Sequence, residues 1–247
     1  MREWLLLAGA GVMGGLIGSA GGITSLVSYA ALLAVGIPPL AANVTNSVAL
    51  LGSGGGSAMR ARSDVSDHHR TLREWMPITI VFSVCGAGLL ICTPGRVFDR
   101  VVPFLVGAGS LILLSQPIVA SAIERRGAEP GRIAMVSLGG AVALYNGYFG
   151  AGSGILMMAL LLLTTEPVLH RANALKNVIL AGSDLLPAIL FAIVGAVVWS
   201  AAWPLFLGAV AGGLTGPTIT RRVPARAMRI TIALFGLGFA SWLLVNP

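Results

Sequence analysis

The sequence predicts an all-α polytopic membrane protein built from two inverted repeats, each a glycine-broken re-entrant helical hairpin followed by three transmembrane helices. Three observations lead to that fold class. Of the 247 residues, 56% are hydrophobic and only 10% are charged, against about 25% charged in an ordinary soluble domain. Uncharged runs cover residues 4–59, 75–95, 101–123, 133–165, 185–220 and 230–247, and a spanning helix needs about 20 predominantly apolar residues. Finally, sequence blocks recur about 130 positions apart, which makes the chain a tandem of two halves, 1–125 and 126–247, that together form one transmembrane domain.

The repeat rests on two pairs of blocks. GLIGSAGGI at 15–23 resembles GYFGAGSGI at 147–155, with Gly15, Gly18, Gly22 and Ile23 recurring 132 positions later. ANVTNSVALLGS at 42–53 resembles ANALKNVILAGS at 172–183, at an offset of 130. Each half opens with an apolar run of some 30 residues, interrupted by GSAGG at 18–22 or GAGSG at 150–154. Glycines there either let helices cross closely or let the chain leave the helix. A polar-spotted helix follows, near 41–59 in the first half and 171–194 in the second. Plainer helices near 76–93 and 101–122, and near 203–220 and 229–245, complete the two halves.

Arginine placement decides whether the long runs cross the membrane or turn back. If both cross, the loop arginines divide eight against seven and the topology has no bias. If both are hairpins, the loops at 60–73, 125–132, 171 and 221–229 share one face and hold twelve against three, so that face is cytoplasmic. Letting the first run alone cross gives thirteen against two. It is therefore the repeat that argues for a hairpin there. Three crossings per half then place the two halves in opposite orientations, as in inverted-repeat transporters, with the C-terminus external. Each arm, about 14 residues or roughly 21 Å long, would bring its glycine-rich tip near the middle of the membrane.

Several other classes are excluded. Runs such as LMMALLLL are apolar on every side, unlike the alternating strands of a transmembrane barrel. The net charge of +7 reflects loop arginines under a positive-inside bias, so no nucleic-acid partner is implied. The first apolar segment outruns a cleavable leader and is expected to stay in the chain. Cys85 and Cys92 lie two turns apart on one helix, cannot bridge each other, and are expected to pack as small apolar residues. Trp4, Trp199, Trp203 and Trp242 are expected at the external interface and Trp75 at the cytoplasmic one. His68, His69 and His170 are expected as solvated loop side chains, with no metal or cofactor implied. No phosphate-binding loop, zinc-protease motif or nucleophile elbow with triad partners occurs, so the chain is not expected to be an enzyme.

Non-helical backbone inside a bilayer is tolerated only where it is buried in protein or lines a wet cavity, so the two tips are candidate sites. Gly18, Ser19, Gly21 and Gly22 in the first half, and Gly150, Gly152, Ser153 and Gly154 in the second, would offer backbone N–H groups and hydroxyls to an anion. Lys176 is the one cation within an apolar helix, where a charge costs at least about 2.5 kcal/mol; it either balances substrate charge or snorkels toward the Arg171 end. Asn173, Asn177, Asn43, Thr45 and Asn46 place further donors on the repeat-related helices, for substrate or for interhelical hydrogen bonds. Asp184, two turns beyond Lys176, is the candidate for proton coupling, against a structural hydrogen bond near the external end of its helix.

The stretch GLIGSAGGITSLVSYAALLAVGIPPLAANVTNSVALLGS, with its second copy YNGYFGAGSGILMMALLLL and ANALKNVILAGSD, resembles the TauE/SafE family of bacterial membrane permeases, often called sulfite exporters. The resemblance covers nearly the whole chain. It implies secondary transport of sulfur-containing anions, such as sulfite, thiosulfate or organosulfonates, across the bacterial cytoplasmic membrane. It also implies that Gly18 to Gly22, Asn43 to Asn46, Asn146, Gly150 to Gly154, Lys176 and Asn177 face the substrate. Thr45 and Asn46 stand where the second half has Leu175 and Lys176, so the expected site is asymmetric. The expected partners are a small anion, protons and lipid, with a homodimer left open. A passive anion channel using the same donors is the alternative function.

Overall fold

The computed structural model describes residues 2–21, 24–62, 64–124, 132–219 and 225–245. These residues form ten α-helices and, among them, no strand. Five precede residues 125–131: α1 (Arg2–Gly21), α2 (Thr24–Ala34), α3 (Pro39–Ala61), α4 (His69–Cys92) and α5 (Gly95–Glu124). Five follow: α6 (Arg132–Tyr148), α7 (Ser153–Thr164), α8 (Leu169–Val194), α9 (Trp199–Ile219) and α10 (Ala225–Val245).

The second long apolar run breaks at its glycine cluster, whereas in the first Gly18 and Gly21 belong to α1, which ends at Gly21, and are not the non-helical tip expected from the sequence. α1 and α2 fold back on each other, since Gly14 lies against Thr24 and Ser28 while Gly18 lies against Thr24. α6 and α7 meet across a turn at 149–152, where Gly150 and Gly152 have φ of +78° and +82°, a backbone that side chains with a Cβ rarely adopt. The arms are unequal, with 20 and 11 residues in the first pair and 17 and 12 in the second. Equal arms of about 14 were expected from the runs alone; the break lies nearer the second end of each run.

Helix packing is reciprocal across the chain: α1 packs on α9, and α6 packs on α4. Glycines make both crossings close. Gly11 and Gly15 of α1 face the backbone of Leu205, Ala209 and Gly213, and Gly208 and Gly212 of α9 face that of Ala8, Val12 and Leu16. In the other pair, Gly86 of α4 lies against the backbone of Leu144, and Gly147 of α6 against that of Ser83. Without lipid-exclusion forces between helices, such small-residue contacts are what holds membrane helices together. Ser83 adds a 3.0 Å hydrogen bond to the Ala143 carbonyl across the same crossing.

The outer surface is apolar. Leu5, Phe104, Ile118, Ile193 and Leu234 are all exposed, as are Trp4, Trp199, Trp203 and Trp242; water would not tolerate so extensive a patch, and acyl chains would. Among the described residues, His69–Cys92 and His170–Val194 are long and apolar enough to cross a membrane, each with a mean hydropathy of 2.0. Cys85 and Cys92 are exposed free thiols on α4 and do not pack inside. Trp75 also departs from expectation. It is fully buried, because Gly139 of α6 leaves room for its ring.

Candidate functional site

The turn between α6 and α7 is pinned from below, where the Tyr145 hydroxyl donates to the Ala151 carbonyl at 2.7 Å. Ser153 opens α7, and its Oγ lies 2.8 Å from the Gly150 carbonyl and donates to Asn146 Oδ1 at 2.5 Å. The other end of the Asn146 amide donates to Asp184 Oδ1 of α8, also at 2.5 Å. A chain of hydrogen bonds therefore runs from the α7 N-terminus through Asn146 to a carboxyl one helix away.

Lys176 enters from the same face of α8. Its side chain is only 1% exposed, so it does not snorkel. The ammonium donates to Asn173 Oδ1 at 2.8 Å and, more weakly, to the Gly18 carbonyl at 3.4 Å. That second contact ties the tip of the first hairpin to the charged helix of the second half.

These groups surround a cavity of about 80 Å³. Of the residues singled out from sequence, Gly18, Asn146, Gly150, Ser153, Gly154, Lys176, Asn177 and Asp184 line it. Sequence reasoning missed Thr24 and Ser25 at the start of α2, Leu50, Ser53, Gly54 and Ser57 on α3, and Leu180 and Ala181 on α8. The signal was available: 50, 53, 54 and 57 share one helical face, and so do 176, 177, 180, 181 and 184. Lys176 and Asp184 are the titratable groups on the wall. Both, with Asn146 and Ser153, belong to the second half, and the positions 130 or 132 earlier hold Asn46, Gly54, Gly14 and Gly21. The charge asymmetry of the cavity is thus written in one copy of each sequence block.

Other candidate residues lie elsewhere. Asn43 donates to the Tyr148 carbonyl at 2.9 Å, closing the end of α6. Thr45 Oγ1 accepts the Val198 N–H at 2.9 Å, at the entry to α9. Asn46 is buried on the same helix, with Oδ1 unpartnered; neither it, Asn43 nor Thr45 is on the cavity wall. Asn173 reaches the cavity through Lys176, and Gly152 serves as the N-cap of α7. Gly21 ends α1, while Gly22 and the side chain of Ser19 lie outside the described residues. Among the described residues, no group of three or more His, Cys, Asp or Glu side chains could hold a metal ion.

A second polar cleft, about 190 Å³, is lined by Asp64, Asp67, His68, His170 and Arg171 where the α3–α4 loop meets the first turn of α8. His68 is not a solvated loop side chain as expected. Its Nε2 lies 2.6 Å from Glu166 Oε2, and the Val168 N–H donates to Glu166 Oε1 at 3.0 Å. Burial by itself raises the Glu166 carboxyl, but the hydrogen bonds from His68 and Val168 and the charges of His68 and Arg171 outweigh it, holding the group below the usual carboxylate range.

Comparison with known proteins places this architecture. The family described as sulfite exporter TauE/SafE matches residues 4–243. The chain belongs to the TauE/SafE family. It is 28% identical over 243 residues to the probable membrane transporter protein ORF9 of Sinorhizobium sp., covering 96% of this chain and 91% of that one. It is 25% identical over 237 residues to the probable membrane transporter protein YfcA of Escherichia coli, covering 95% and 87%. A probable membrane transporter protein of Haemophilus influenzae is 25% identical over 213 residues, covering 83% and 80%. No solved structure matches the chain. Like its TauE/SafE relatives, this protein is a helical membrane protein of a transporter family.

Proposed function

We propose that this TauE/SafE protein is a secondary active transporter that moves a small sulfur-containing anion, of the sulfite, thiosulfate or organosulfonate type, together with protons across the bacterial cytoplasmic membrane. The observation that carries the reading is a buried ammonium and a carboxyl on the wall of one small cavity, inside a protein whose outer surface is apolar. An intramembrane charge is costly and is retained where it lines a substrate or ion path. Lys176 supplies positive charge to the anion; Ser153 and Asn177 supply hydrogen-bond donors. Asp184 carries the proton.

The hairpins are re-entrant in this reading. With 11 and 12 residues, α2 and α7 reach about 17 and 18 Å, short of a hydrocarbon core about 30 Å thick. The reciprocal packing of α1 on α9 and α6 on α4 is what two halves in opposite orientations would produce, and rocking one against the other would open the cavity to alternate sides. The C-terminus is then external.

The experiment that tests the site uses Ser153→Cys in a background carrying Cys85→Ala and Cys92→Ala. A small hydrophilic thiol reagent is expected to label residue 153 in membranes, and organosulfonate is expected to slow labelling. Labelling unchanged at saturating organosulfonate, sulfite and thiosulfate would place the anion elsewhere.

A further inference from the structure

Asn146 occupies a position that its hydrogen bonds make more than a lining residue. Its amide has a donor end and an acceptor end, and the two are used on different partners: Nδ2 on Asp184, Oδ1 on Ser153. An ionised carboxylate only accepts, so the donor end of the amide must face it. The acceptor end then takes the Ser153 hydroxyl proton. Ser153 Oγ has a single proton to give, and both partners within reach, Asn146 Oδ1 and the Gly150 carbonyl, are acceptors. In this state the hydroxyl presents lone pairs to the cavity, which repel an anion.

Protonation gives the carboxyl a proton to donate, which allows each link to reverse. A neutral carboxyl can donate its O–H to Asn146 Oδ1, which requires the amide to turn end for end. Nδ2 then donates to Ser153 Oγ, occupying one of its lone pairs, and the hydroxyl proton, no longer held by Asn146 Oδ1, is open to an oxyanion in the cavity in competition with the Gly150 carbonyl. We propose that Asn146 is a positioning residue that converts protonation of Asp184 into a change of Ser153 from a lone-pair-presenting to a proton-presenting group, so that anion and proton enter the cavity together. The step moves one proton, from water to the Asp184 carboxylate, with no other bond made or broken.

Apart from Lys176, the wall around the carboxyl carries no second titratable side chain among the described residues. Towards the cavity, α3 contributes Leu50, Ser53, Gly54 and Ser57, while α7 contributes Ser153 and Gly154. The cavity wall includes no residue of α4, whose Met76 instead packs against Gly182. α6 contributes Asn146, with the neighbouring Tyr145 hydroxyl engaged by Ala151. Lys176 is the one other charged group on the wall, and it lies two turns away on the same helix.

This proposal rests on the reading of the cavity as an anion site, and the test separates the two. Methanesulfonate is a strong-acid anion that does not itself titrate, so its affinity is measured for the purified full-length protein at an acidic and an alkaline pH on either side of the carboxyl's titration. Ser153→Ala is expected to weaken binding about tenfold or more at acidic pH, the size of a hydrogen bond to a charged group, and to have little effect at alkaline pH. In Asn146→Leu, and separately in Asp184→Asn, the added cost of Ser153→Ala is expected to be the same at both pH values. Binding that needs Lys176, combined with an equal Ser153→Ala cost at both pH values in the otherwise wild-type protein, would overturn the relay and leave the anion site standing. Absence of any methanesulfonate binding by the wild-type protein would overturn the anion site and the relay with it.

Discussion

Replacing Lys176 by Met separates folding from transport, because the two respond to different terms. On the folding side, Lys176→Met removes a buried charge whose insertion costs at least about 2.5 kcal/mol. It also forfeits charge-assisted hydrogen bonds worth about 1.5–3 kcal/mol, chiefly the 2.8 Å bond to Asn173. The terms nearly cancel, and methionine fills a similar volume on the cavity wall, so the melting temperature in detergent should hardly move. Binding of the anion has no such cancellation. A unit charge pair about 4 Å apart at an effective dielectric constant near 20 attracts by about 4 kcal/mol, which is about a thousandfold in Kd. Uptake of labelled substrate into proteoliposomes should therefore fall to background in Lys176→Met and survive in part in Lys176→Arg, where charge is kept but the planar guanidinium changes the geometry. A Lys176→Met protein that melts like wild type and transports at its rate would refute the charge-compensation argument.

Two further expectations follow from packing and from the polar loop cleft. Gly11→Ala should destabilise the protein by about 1–3 kcal/mol, because its Cβ would meet the backbone of Leu205 and Ala209, whereas Gly9→Ala on the same helix meets nothing within 4 Å and should stabilise by about 1 kcal/mol; thermal unfolding of both variants in one detergent decides between close helix crossing and chance. Glu166→Gln should lower the melting temperature at neutral pH. Because the folded carboxyl is held below its ordinary value of 4.5, the stabilisation is present above that value and lost as pH falls through the folded one, so the wild-type advantage should vanish at the acid end. An advantage that persists there would mean the His68–Glu166 contact is not its source.

What the sequence made legible follows from where charges and glycines can sit. Arginines mark the helix ends, as Arg60 does for α3, Arg70 and Arg73 for α4, Arg96 for α5 and Arg171 for α8, so the helices among the described residues fall close to the apolar runs that these residues bound. Lys176 and Asp184 stand out because an apolar helix has no ordinary use for either. The division of labour among the amides was less legible. Asn43, Asn46 and Ser53 lie on one helix, yet Asn43 turns to the Tyr148 carbonyl while Ser53 lines the cavity. Which way each polar side chain is used depends on the neighbouring helix, and helix pairing such as α3 with α8 and α9 is a long-range property that no local pattern encodes. Trp75 illustrates the same limit: its burial is decided by Gly139, 64 positions away. The Glu166 partner of His68 is likewise 98 positions distant.

The central claim is that this cavity moves an anion together with protons. Purified protein in sealed proteoliposomes, given sulfite, thiosulfate and an organosulfonate in turn, tests it when anion movement and internal pH are followed in the same vesicles. The account predicts that an imposed pH gradient drives at least one of these anions to a higher concentration on one side, that protons move with it, and that Asp184→Asn abolishes the proton movement and the accumulation. Anion flux that only dissipates its own gradient, indifferent to pH and to Asp184, would contradict the account and describe a passive channel.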